Sequence, residues 1–320
     1  MLPPMGVRVG VGIAAFPFEE ARGFFRFAER CESLGIDSLW QTDRLATREP
    51  YLEAMSAMAA LAGVTERIKF GMNAVVVTFR DPLVLARECA TIDHLSGGRL
   101  LPVFGVGADT APEWRATGRD PARRGARANE ALTLLRRLWS EESVDFAGEF
   151  YRYEGASIAP RPVQQPLPLW IGGASPAAIR RTARLGTGWL AGLMPADRVG
   201  PVIAAIRAEA ALAGRAIDPD HYGATVPFRL GSFDAPEVQR LAAGRARAAG
   251  VADPRQLLAV GSARELVARL RAYVGAGASK FVLIPLARGE ADVVDQTERL
   301  VAEVIPEVEA PGFALAATGG

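Results

Sequence analysis

Asp43 and Arg44 stand side by side after a short apolar run, while Asn73 and Asp109 close two later runs of the same kind. A carboxylate can take or give a proton, and a guanidinium beside it can hold an anionic substrate or orient the carboxylate. These residues therefore read as candidates for acid/base work on a small molecule. Asp43 and Arg44 fit equally well an ordinary ion pair at the start of a loop. A second group, Gly172-Gly173-Ala174-Ser175-Pro176, sets two glycines before a helix start. Backbone N–H groups can approach a phosphate closely there, with Ser175 as cap and Pro176 at the first helical position. The same pattern also fits a well-capped helix after a tight turn. Gly261-Ser262, with Glu265 three residues after the serine, repeats the arrangement. Here a plain capping box is the first reading and a phosphate site the second.

These residues share a location only if the elements that carry them bring them together. Apolar runs at residues 7–13, 36–41, 68–75, 100–105, 169–172, 188–192, 222–230 and 280–284 alternate with segments of helical periodicity. Eight strands separated by helical crossovers must run parallel, and they fit a closed (β/α)8 TIM barrel as a single α/β domain. In such a barrel the residues that follow the strands gather at one mouth, where Asp43, Arg44, Asn73 and Asp109 would meet and a flat cofactor could sit. Gly10 and Gly12 lie within the first run without a Gly-x-x-Gly continuation, which argues against a Rossmann nicotinamide site. Thr110 and Glu113 have capping-box spacing, so a long arginine-rich helix is expected from there to about Trp139. Residues 144–153 alternate around Gly148 and predict a β-hairpin inserted between helix four and strand five. Residues 1–306 read as one domain and 307–320 as a loose, Ala- and Gly-rich tail.

Composition removes several function classes. The 320 residues are 49% apolar and 23% charged with a net charge of +1, which gives no electrostatic reason to expect nucleic acid or an anionic membrane. Cys31 and Cys89 are the only cysteines and sit in helical patterns, so neither a disulfide framework nor a cysteine metal site is expected. His94 and His221 are the only histidines, too few for the histidine-rich metallohydrolases that use similar barrels, and no metal is expected. His94 reads as a helix residue and His221 as a surface connector. Lys69 and Lys280 are the only lysines; Lys280 sits just before a strand rather than inside the barrel, against Schiff-base chemistry. Without a leader pattern or a long apolar span, a cytoplasmic location is the expectation.

Several linked segments resemble the bacterial-luciferase-like flavin and deazaflavin oxidoreductases. They are Ser38-Leu39-Trp40-Gln41-Thr42-Asp43, then Arg80-Asp81-Pro82 through Leu95-Ser96-Gly97-Gly98-Arg99, then Gly105-Val106-Gly107-Ala108, Leu169-Trp170-Ile171-Gly172-Gly173 and Gly186-Thr187-Gly188-Trp189. The resemblance spans roughly residues 7–305 and rests on the order and spacing of these segments. It implies an isoalloxazine-type ring across the strand ends over a non-proline cis peptide, for which Asn73–Ala74 is the matching bond. It also implies cofactor phosphate near Gly172, Gly173 and Ser175, with Gly107, Ala108 and Asp109 near the ring or its side chain. Deazaflavin alcohol and sugar-phosphate dehydrogenases of this kind typically carry a histidine after the strand-two acid; here the residue is Arg44. The resemblance favours coenzyme F420, with hydride transfer to or from a small organic substrate. FMN is the alternative and would bring monooxygenation fed by a partner flavin reductase. A non-catalytic flavin or deazaflavin binder is the reading from another class, and a homodimer is the implied assembly.

Overall fold

The computed structural model describes residues 6–314, and the alternating pattern of the sequence becomes an alternation of strands and helices. In chain order these are β1 (Arg8–Ile13), α1 (Ala21–Ser33), β2 (Ser38–Gln41), α2 (Ala54–Val64), β3 (Lys69–Val76), α3 (Pro82–Leu95) and β4 (Leu100–Gly105). Then follow α4 (Pro112–Ala116), α5 (Arg124–Ser140), β5 (Val144–Ala147), β6 (Arg152–Ala156), β7 (Trp170–Gly172), α6 (Pro176–Leu185), β8 (Gly188–Ala191) and α7 (Ala196–Leu212). The chain continues through β9 (Tyr222–Leu230), α8 (Pro236–Ala249), β10 (Ala259–Gly261), α9 (Ala263–Gly275), β11 (Lys280–Pro285), α10 (Gly289–Glu303) and α11 (Ile305–Val308). Strands β1, β2, β3, β4, β7, β8, β9 and β11 pair in that order and close through β11 onto β1, every pairing parallel. This is the expected (β/α)8 barrel. The hairpin β5–β6 is antiparallel and follows α5, as its alternation predicts.

Two indoles set the packing inside the barrel. Trp40 on β2 and Trp170 on β7 point inward with Val103, Leu190, Val282 and Ile284. Such rings fit only where neighbouring strands carry no side chain. A Cβ on Gly71 would lie 2.6 Å from the Trp40 ring, and one on Gly188 would lie 2.3 Å from Trp170. The core between strands and helices is continuous and takes in Phe27 on α1, Met58 on α2, Leu85 on α3, Leu135 on α5 and Leu270 on α9.

The recurring segments of the sequence act as joints. In Leu95-Ser96-Gly97-Gly98-Arg99, both glycines adopt positive φ (65° and 88°), which turns the chain so that Arg99 reaches back. Its guanidinium donates to Thr65 Oγ1 at 2.6 Å, to the Thr65 carbonyl at 2.7 Å and to the Ile68 carbonyl at 2.9 Å, tying the end of α2 to the start of β3. Asp81 caps α3 by accepting from the Leu83 and Val84 N–H groups, with Pro82 at the first helical position. Tyr153 of the hairpin donates its hydroxyl to the other Asp81 oxygen at 3.0 Å.

Three expectations differ from what is seen. The long arginine-rich helix is two: α4 ends at Ala116, Gly118 turns at φ 65°, and α5 starts after Arg123 at φ 60°. Gly118 and Pro121 interrupt the helical run. The Thr110–Glu113 capping box is not made, because Ala111 is the N-cap and Pro112 opens the helix. Of the tail expected to be loose, residues 307–314 are packed: Val308 and Phe313 are buried and Glu309 accepts the Val9 N–H at 2.7 Å. Residues 315–320 lie outside the described residues. Ahead of α9, β10 is one more short strand, paired parallel to β9.

Candidate active site

At the C-terminal ends of the strands a cavity of about 580 Å³ opens, a size suited to a small molecule or a flat ring. Its apolar seat comes from Ala14, Ala74, Val103, Leu190 and Ile284, and its rim from Arg44, Gly107 and the segment Gly172 to Ser175. The Asn73–Ala74 peptide is cis, as the family resemblance implies, and the β3·β4 register shifts between Met72 and Val75 around it. Asn73 Nδ2 donates to Thr225 Oγ1 at 3.0 Å, joining β3 to β9 across the mouth.

The phosphate candidate at Gly172–Ser175 lies on this rim. Ser175 Oγ accepts the Ala178 N–H at 3.2 Å and Pro176 brings no N–H, so the backbone N–H groups of Ser175 and Ala177 are left without a protein acceptor among the described residues. Gly173 has φ 99°, and a Cβ there would press on the Ala178 Cβ at 3.2 Å. The rim is thus bare backbone and donor-rich at a helix N-terminus, which suits an anion.

The second candidate closes on itself. Ser262 caps α9 in a full capping box, and its N–H and hydroxyl both donate to Glu265 Oε2 at 2.7 Å. Glu265 occupies the place an anion would take, and the backbone N–H of Ser262, followed by its hydroxyl, holds that carboxyl below the usual range. Gly261 borders a different cavity, beside Arg255 and Phe233.

Asp43 and Arg44 do not pair with each other. Asp43 is 3% exposed at its side chain and takes both forks of Arg80, at 3.0 Å each, while Arg80 also reaches Glu53 at 2.6 Å. Burial alone would lower the Arg80 guanidinium, but the hydrogen bond and charge of Asp43, then of Glu53, outweigh it and hold Arg80 above its ordinary value. Arg44 extends over the mouth, half-exposed, with Glu113 Oε1 at 3.6 Å. Glu113 is buried, and its Oε2 has no partner among the described residues. Asp109 is 70% exposed and 4.0 Å from Arg124, and neither it nor Ala108 lines the cavity.

Residue types alone missed four groups. Arg80 orients Asp43 from 37 positions away, a role that adjacency in the sequence suggested for Arg44. Arg124 opens α5 and donates to the Gly107 carbonyl at 3.2 Å. Tyr51 and Thr225 line the mouth. Only Arg80 carried a signal, through its place in Arg80-Asp81-Pro82. His221, expected as a surface connector, is half-buried with Nδ1 3.0 Å from the Thr187 carbonyl. No helix among the described residues is long and apolar enough to cross a membrane.

Known proteins place this geometry in context. A family model described as luciferase-like monooxygenase matches residues 5–234. An F420-dependent glucose-6-phosphate dehydrogenase of Amycolatopsis mediterranei is 33% identical over 195 residues, covering 58% of this chain and 57% of that protein. One from Intrasporangium calvum is 36% identical over 174 residues, covering 50% and 51%. The chain thus spans little more than half the length of these curated relatives. Among solved structures, an F420-dependent secondary alcohol dehydrogenase bound to an F420-acetone adduct superposes with TM-score 0.81 at 18% identity, covering 96% of this chain and all of that one. The monooxygenase RslO1 of Streptomyces bottropensis gives 0.77 at 22% identity, covering 93% and 99%. At these identities the structures show a common fold.

Proposed function

The chain belongs to the luciferase-like monooxygenase family, and on that premise we propose that it is an F420-dependent oxidoreductase acting on a small organic substrate. The observation that carries the reading is the mouth itself: an apolar seat at Asn73–Ala74 leads to a glycine rim and an open helix N-terminus at Gly173–Ser175. A flat ring with a phosphate-bearing side chain fits that combination, and the names of the curated relatives support the deazaflavin over FMN.

Bound there, F420 supplies a ring carbon that gives or takes a hydride. The residues of this chain do the rest. The α6 N-terminus holds the phosphate. Ala14, Val103, Leu190 and Ile284 keep water from one face of the ring, and the Asn73–Thr225 hydrogen bond fixes the strands on which it rests. Arg80 clamps Asp43, which fixes the strand-two loop and sets Arg44 over the mouth, where its guanidinium receives an acceptor group of the substrate.

Titration of the purified protein with F420 and with FMN, followed by tryptophan fluorescence, tests this. Tight, selective F420 binding is the expected result. Gly173→Val introduces a side chain at a positive φ and should weaken F420 binding at least about tenfold. Preference for FMN would move the protein to a reductase-fed monooxygenase, and binding of neither would make the oxidoreductase reading untenable.

A further inference from the structure

The barrel has a second opening. At the end where the strands begin, opposite the mouth, a cavity of about 350 Å³ enters the interior. That end of such a barrel ordinarily serves stability, with side chains closing the interior. Here the floor of Trp40, Leu101, Val103 and Val282 stays below the rim, the Trp170 indole remains half-buried at the side, and a volume in the range of small-molecule pockets is left.

The rim is divided by chemistry. Lys280 on β11, Arg8 on β1 and Lys69 on β3 form a basic arc that uses both lysines of the chain. Trp170 on β7 and His221 just before β9 form an aromatic arc across from it, with ring centroids 5.7 Å apart. Two carboxylates partly neutralise the basic arc: Asp37 takes Lys69 at 3.1 Å and Asp220 takes Lys280 at 2.7 Å. Arg8 is left with Glu309 at 3.7 Å, and the other oxygen of Glu309 is already engaged by the Val9 N–H. The lining therefore carries three cations against two carboxylates; Arg8, whose Nη1 donates to the Val7 carbonyl at 3.1 Å, and Lys69, held among the described residues by Asp37 alone, both keep further donors.

One further atom has unused capacity. His221 Nδ1 faces the Thr187 carbonyl, which only accepts, so Nδ1 carries the proton and Nε2 remains an acceptor. The cavity thus offers cations on one side, an acceptor at His221, and indole and aliphatic surface between them.

We propose that this cavity binds a small aromatic carboxylate that also carries a hydroxyl or amino donor on its ring. The carboxylate meets Arg8 and Lys69, the ring packs along Trp170 above Val282, and the ring donor meets His221 Nε2. Val103 and Leu190 line both this cavity and the mouth, so only one layer of side chains separates the two sites.

Isothermal titration with 4-hydroxybenzoate as probe tests the assignment. Saturable one-to-one binding is expected, with benzoate weaker because it lacks the ring donor. Arg8 and Lys69 are about half exposed, so the double substitution Arg8→Gln/Lys69→Gln should leave thermal unfolding in place, yet weaken binding about tenfold or more through lost charge-assisted hydrogen bonds. Trp170→Leu should weaken it as well, and Arg44→Ala, at the mouth, should leave it unchanged. Absence of saturable binding, equal affinity in the Arg8/Lys69 variant, or loss of binding on Arg44→Ala alone would each overturn the proposal.

Discussion

Removing the Asp43 carboxylate would leave the Arg80 guanidinium, 11% exposed at its side chain, with Glu53 as its remaining acid. Glu53, 43% exposed at its side chain, compensates the buried guanidinium only in part, so Asp43→Ala should cost about 3 kcal/mol of stability as well as turnover. Replacing both partners removes the stranded charge: Asp43→Ala/Arg80→Met should recover most of that stability while turnover stays low, because Arg44 loses its fixed loop. Chemical denaturation and steady-state kinetics of the two single variants and the double variant check this, and additive stability losses would take the pair out of the account. Residue types after strand ends made Asp43 and Arg44 visible as site candidates. Their pairing with Arg80 and Glu113 was not, because those residues are separated from them in sequence and meet them only through the barrel. Asp109 illustrates the opposite error: the right kind of residue after a strand, it points away into solvent.

Elements are joined by side chains that cap backbone outside their own helix. Glu32, near the end of α1, accepts from the N–H groups of Glu66 and Ile68 at 3.0 and 2.8 Å, and from Arg67 between them, so it holds the α2–β3 turn. Burial alone would raise its carboxyl, but these three backbone donors outweigh burial and hold it below the usual glutamate range. A depressed folded value means that the stabilisation is fully present above the unfolded value of about 4.3 and is lost as pH falls through the folded value below it. Glu32→Gln should therefore cost on the order of 1 kcal/mol at neutral pH, since solvent screens this partly exposed carboxylate, and flatten the acid limb of the melting temperature below the unfolded value. Parallel curves for the wild-type and variant proteins would remove Glu32 from the acid response. Such joints are where the sequence falls silent. Periodicity located the eight barrel strands and the hairpin, since each is a local property. It ran α4 and α5 together because Gly118 and Pro121 lie inside an otherwise helical, arginine-rich pattern.

Across the whole molecule, the barrel closes because its strands trade side chains for ring volume, and glycines with the same composition therefore differ in consequence. Gly71 on β3 is buried, and a Cβ there would sit 2.1 Å from the Leu101 carbonyl oxygen and 2.6 Å from the Trp40 ring. The first of these is backbone in the neighbouring strand and cannot turn aside without breaking the β3·β4 ladder. Gly63 in α2 is exposed with open space where a methyl would stand, and alanine there only restricts the unfolded chain and favours the helix. The same chemical change should thus have opposite signs: Gly71→Ala should destabilise by at least about 3 kcal/mol, and Gly63→Ala should stabilise by roughly 0.5 kcal/mol. Because Trp40 borders the lower cavity and Ala74, three residues beyond Gly71, lines the mouth, Gly71→Ala should also weaken F420 binding, whereas Gly63→Ala should not. Urea denaturation of the two variants with parallel cofactor titration decides it. A Gly71→Ala protein as stable as the wild type would mean that the strands around Trp40 have room to move, and the rigid seat argued for the mouth would fall with it.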